Sequence, residues 1–113
     1  MLSWHGMMDQ LVPVNGSVDY YERVLAKDPK AQDFYRLFLA PGADHAGTGI
    51  AVSDEDSLDY IMNWVEHGKA GEVLKAAGTT GMGVPAQRDI CMYPRVQHYK
   101  AGDPSLPSSF TCI

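Results

Sequence analysis

Two side chains of this sequence occupy positions from which acid–base chemistry is commonly done. Asp9 lies in the loop after Met1–Gly6, and His45 in the loop after Asp33–Ala40. An imidazole titrates near neutral pH, so it takes up and returns protons there. A carboxylate beside it holds one tautomer and stabilises the imidazolium formed when a nucleophile gives up its proton. Acid then histidine, on successive strand ends, is the last part of the Ser…Asp…His order of α/β-hydrolases. By position alone, the competing role for Asp9 is that of a turn former or helix cap. The remaining histidines call for structural roles. His5, four residues before Asp9, fits the end of a strand with its ring bonded to a loop carbonyl, ahead of a role as metal ligand. His67 suits the negative end of a helix, and His98 the surface of a strand. Cys91 and Cys112 leave open one disulfide or two buried thiols; they lack the close second pair of ligands a structural zinc needs.

The elements that must position these groups can be read from spacing and punctuation. Met1–Gly6 reads as the end of a buried strand, and Met7–Asn15 as a loop with an acid and a proline. A helix is predicted over about Ser17–Ala26, capped by Asn15 or Ser17, with Val18, Tyr21, Val24 and Leu25 on one face. Asp28-Pro29 stops it. The aromatic-rich segment Asp33–Ala40, bounded by Pro41-Gly42, reads as a second buried strand. A glycine-bearing loop, Gly42–Gly49, then carries His45. Ser53 with Asp56 resembles a capping box for a second helix that ends at Gly68, its apolar stripe being Leu58, Ile61, Met62 and Val65. Ala70–Ala77 reads as a short helical turn, Gly78–Pro85 as a loop, and Arg95–Tyr99 as a strand. Trp4, Tyr20, Tyr21, Phe34, Phe38 and Trp64 are assigned to the core. Alternating strands and helices imply a parallel α/β sheet, and two parallel strands alone make an incomplete one.

Composition narrows the class. The chain has 113 residues, 45% hydrophobic and 20% charged, which is globular. A net charge of −5 gives no electrostatic reason to expect nucleic acid or an anionic membrane as partner. No apolar run approaches the roughly 18 residues of a membrane span. Met1–Val12 has neither the basic start nor the apolar stretch of a secretory signal.

Four blocks carry a resemblance. Trp4-His5-Gly6-Met7-Met8-Asp9-Gln10-Leu11-Val12-Pro13 resembles the acid-bearing motif W-H-G-x-x-D-x-x-[IV]-P of the tannase/feruloyl esterase family. Asn15–Glu22 is similar to that family's next helix, and Phe34–His45 to the strand leading to its histidine. Arg88–Cys112, with Cys91-Met92-Tyr93-Pro94 and Ser109-Phe110-Thr111-Cys112, is similar to its C-terminal end. The blocks fall in the family's order and span nearly the whole chain.

The resemblance implies the C-terminal part of an α/β-hydrolase fold, with about two parallel strands and flanking helices, as one segment over residues 1–113. It implies Asp9 as triad acid and His45 as triad base, a Cys91–Cys112 disulfide, and phenolic-acid esters as substrates of a secreted serine esterase. No cofactor is expected, because the calcium site of such enzymes lies in a lid domain that nothing here matches. Nothing matches the Gly-Cys-Ser-x-Gly elbow either; Ser3, Ser17, Ser53 and the tail serines lack its glycines. The chain is therefore expected to supply acid and base and to be inactive alone, the alternative being a non-catalytic binding remnant of the same fold. The family usually has cysteine directly after the histidine, bonded to the cysteine beside the nucleophile. Here that position is Ala46.

Overall fold

A computed structural model gives the fold of residues 1–113. Its first unit is a parallel pair. Strand β1 (Leu2–Gly6) lies beside β2 (Arg36–Ala40), in register from Leu2 opposite Arg36 to Gly6 opposite Ala40. The chain crosses between them through helix α1 (Val14–Lys27), the connection that parallel neighbours require. Leu37, Phe38 and Ala40 of β2 are buried, whereas most of β1 is half-buried.

Helix α1 starts three residues before the expected Ser17. Pro13, locked at φ −59° in extended backbone, stands at the cap position, and no side chain caps the helix. Asn15 and Ser17 therefore fall inside the first turn, and the Ser17 hydroxyl is taken by the ring of His5. The helix ends before Asp28-Pro29, as the proline dictates. Tyr21 is its anchor: the side chain is fully buried, donates to the Tyr35 carbonyl at 3.0 Å and stacks edge-on against Tyr35. Val24 and Leu25 complete this small cluster around Leu37. Strand β2 begins at Arg36, later than the expected Asp33. The N–H groups of Phe34 and Tyr35 both bond back to Ala31 and close a 3₁₀ turn over Ala31–Asp33, so they are not free to pair in a sheet.

The larger core lies between β2 and an antiparallel sheet of β3 (Ile50–Ala51), β4 (Val73–Thr79) and β5 (Pro85–Cys91). Phe38, Ala40, Ala43, Ile50, Leu74, Ala76 and Ile90 are among its buried members. The helical turn expected over Ala70–Ala77 is not formed. Ala70, Glu72, Leu74, Lys75, Ala76 and Ala77 favour helix by intrinsic propensity, but Gly71 and Val73 do not, and β4 pairs with β5 from Val73 opposite Cys91 to Thr79 opposite Pro85. Leu74 and Ala76 point into the core while Val73, Lys75 and Ala77 face out, which is the period of a half-buried strand. The loop expected over Gly78–Pro85 shrinks to a turn closed by Thr80 and Val84.

Helix α2 (Asp54–His67) has the ends read from sequence. The Ser53 hydroxyl accepts the Asp56 N–H at 3.0 Å, and Gly68 takes left-handed backbone at φ +65°. Its packing face differs from the expected stripe. Leu58, Met62 and Val65 are exposed, and Tyr60 packs on the core instead, edge-on to Phe38 and Trp64. Tyr20 and Phe34, assigned to the core, are likewise exposed. A last antiparallel pair, β6 (Gln97–Tyr99) and β7 (Phe110–Cys112), is tied to the end of β5 by the Cys91–Cys112 disulfide. His98 is exposed on β6 and His67 closes α2, as read.

Candidate active site

Parallel strands β1 and β2 end side by side, so the loops that follow them emerge together. This is where functional groups gather in open parallel sheets. The acid loop turns at once: the Asp9 N–H bonds to the Gly6 carbonyl, and the N–H groups of Met7 and Met8 bond to Ala40 and Ala43. The approach is close enough that a Cβ on Gly6 would lie 2.4 Å from the Ala43 carbonyl oxygen. Glycine is therefore required there by its neighbour.

The histidine loop is braced by its own residues. Asp44 accepts from the N–H and hydroxyl of Thr48, while its own N–H bonds to the Thr48 carbonyl. Gly49, at φ +86°, packs against Gly42, whose carbonyl oxygen would sit 2.1 Å from a Cβ. A further tie comes from the acid loop, where the Gln10 side-chain oxygen accepts the His45 backbone N–H at 3.3 Å. Ala46 brings no thiol to this loop, and its position rests on these hydrogen bonds.

The two loops bring Asp9 and His45 together. His45 Nδ1 lies 3.0 Å from Asp9 Oδ2 and 3.1 Å from Oδ1. Because a carboxylate only accepts, the shared proton belongs to Nδ1. Asp9 Oδ1 also accepts the N–H groups of Leu11 at 2.9 Å and Val12 at 2.8 Å. The Asp9 side chain is 8% exposed and that of His45 44%. Partial burial pushes the Asp9 carboxyl up. The Val12 N–H, the His45 ring and the Leu11 N–H together outweigh it and hold the acid well below the usual carboxylate range. The acid is thus ionised at neutral pH and oriented by fixed donors. His45 Nε2 has no hydrogen-bond partner within the chain, so in this tautomer it is an unoccupied base.

His5 sits where the sequence reading put it, with Nε2 bonded to the Val12 carbonyl at 3.0 Å. Its ring is also 3.1 Å from Asp9 Oδ2, a contact that spacing alone did not reveal. Gln10 was not singled out, and Ser17 was read only as a helix cap. Nothing in their type or neighbours announces that one reaches the histidine loop and the other the ring of His5. No group of His, Cys, Asp and Glu side chains is arranged to hold a metal ion. No helix is long and apolar enough to cross a membrane.

The chain that carries this parallel pair and its carboxylate–imidazole contact is similar to proteins named as esterases and an ester hydrolase. The family model described as "Tannase and feruloyl esterase" matches residues 1–113. A probable feruloyl esterase of Arthroderma benhamiae is 38% identical, aligned over 99% of this chain and 22% of its own length. A mono(2-hydroxyethyl) terephthalate hydrolase of Piscinibacter sakaiensis is 40% identical over 99% of this chain and 19% of its own length. The solved structure of an esterase from Aspergillus oryzae superposes with a TM-score of 0.84 at 29% identity, over 99% of this chain and 27% of that one. The chain belongs to the tannase and feruloyl esterase family, a family of ester hydrolases. It spans about a fifth of the length of these curated relatives.

Proposed function

We propose that Asp9 and His45 are the acid and base of a Ser–His–Asp esterase, carried on the C-terminal part of an α/β-hydrolase fold, with the nucleophilic serine lying outside these 113 residues. The observation that carries this reading is the Asp9–His45 contact at 3.0 Å, with Nε2 left free. In the reaction, Nε2 takes the serine proton as the hydroxyl oxygen attacks the ester carbonyl. Asp9 stabilises the resulting imidazolium. His45 then returns the proton to the departing alcohol, leaving an acyl-enzyme, and repeats both steps with water. Family membership and the names of the relatives support phenolic-acid esters as substrates. The Cys91–Cys112 disulfide fits a protein that works in an oxidising, extracellular setting.

None of this chain's serines stands in a nucleophile elbow, so the 113 residues alone lack an attacking group and the oxyanion donors that accompany it. The purified chain is predicted to show no turnover of methyl ferulate or methyl gallate. Turnover that survives repurification and vanishes in His45→Ala would overturn this.

A further inference from the structure

We propose that His5 is a positioning residue for Asp9, its ring clasping α1 and the acid loop so that the carboxylate faces His45. This deepens the acid–base reading above and rests on it. The His5 side chain is 11% exposed. Its Nδ1 lies 2.7 Å from the Ser17 hydroxyl on α1. Its Nε2 hydrogen-bonds the Val12 carbonyl at 3.0 Å and has Asp9 Oδ2 at 3.1 Å.

These partners fix the tautomer. A carbonyl and an ionised carboxylate offer no proton, so the proton on that side belongs to Nε2. In the neutral ring Nδ1 is then bare and accepts the Ser17 hydroxyl proton. The order of donation is Ser17 to His5, and His5 to Val12. Val12 in turn gives its own N–H to Asp9 Oδ1 at 2.8 Å, and His5 Nε2 itself lies 3.1 Å from Asp9 Oδ2. One ring therefore holds the residue that orients one carboxylate oxygen and lies against the other. A triad acid acts through its orientation as much as its charge, and such orientation is set by the groups around it.

A ring that merely fills space between β1 and α1 would behave differently under substitution. In His5→Gln the amide nitrogen reaches the place of Nε2 and still donates to Val12. In His5→Asn it reaches only the place of Nδ1 and serves Ser17 alone.

The test uses the 113-residue chain labelled with ¹⁵N-histidine, with ring tautomers read from long-range ¹H–¹⁵N spectra at neutral pH. The expected wild-type result is His5 protonated at Nε2 and His45 at Nδ1. His5→Asn is expected to lose the sharp His45 Nδ1–H signal, and His5→Gln to keep it. An unchanged His45 signal in both variants, or equal loss in both, overturns the proposal. So does unfolding of both, which would make His5 a folding residue only. A wild-type His45 without the Nδ1 proton would instead bring down the acid–base reading itself, a failure distinguishable from the others.

Discussion

Asp9 accepts two backbone N–H groups on one oxygen and an imidazole N–H across both, which is why its carboxyl is held ionised while nearly covered. A folded-state pKa below the unfolded value, about 3.9, has a defined sign. The stability it contributes is fully present above pH 4 and is lost as pH falls towards the folded value, because the unfolded chain binds the proton first. Asp9→Asn is therefore predicted to be less stable than wild type at pH 6–7, with the gap narrowing steadily below about pH 4. Denaturant midpoints across that range check it, and a constant gap would contradict it. Chain order placed Asp9 and His45 after successive strands but left Asp9 open as a turn former, and it does accept the N–H groups of Leu11 and Val12. It was the resemblance of the motif blocks that singled the two out together. The contact of His5 with Asp9 and the reach of Ser17 and Gln10 were not legible in the sequence. Each depends on a side chain reaching a loop from another element, and residue type alone does not encode that reach.

At the scale of elements, the site is made by two loops that nearly touch. Gly6 is the point of closest approach, and any side chain there would push the Ala43 carbonyl away. Gly6→Ala is predicted to cost about 1–3 kcal/mol, the usual penalty for forcing extra atoms into a packed site. It should also weaken the His45 contact with Asp9. Thermal or denaturant unfolding checks the first effect, and a variant as stable as wild type would show that the loops separate freely. The same scale shows what sequence could supply. Helix stops at Asp28-Pro29 and Gly68, and the Ser53–Asp56 cap, act on local backbone and were read correctly. Strands β4 and β5 were hidden because Ala70–Ala77 is mostly Ala, Glu, Leu and Lys, good helix formers despite Gly71 and Val73, and β5 begins on a proline; pairing across Val73–Cys91 decided both. The face of α2 was misread in part for a related reason, since Tyr60 reaches the core while Leu58, Met62 and Val65 stay outside and Ile61 alone of the expected stripe is half-buried.

The whole molecule divides into a small cluster around Tyr21 and a larger core between β2 and the antiparallel sheet, with Cys91–Cys112 joining the last pair of strands to that sheet. A bridge across 21 residues stabilises by about 3 kcal/mol on a chain-entropy basis. Met7, Met8 and Leu11 of the acid loop remain exposed, as do Leu58, Met62 and Val65 of α2. The chain spans roughly a quarter of the solved esterase it superposes on. The most direct test of the account joins residues 1–113 to the upstream part of the Aspergillus oryzae esterase, in place of that enzyme's matching segment, and measures hydrolysis of a phenolic-acid ester. The expected result is turnover that falls by roughly 10⁴-fold or more in His45→Ala and by about 10⁴-fold in Asp9→Asn. Turnover indifferent to His45→Ala, or a folded chimera with none at all, would contradict it.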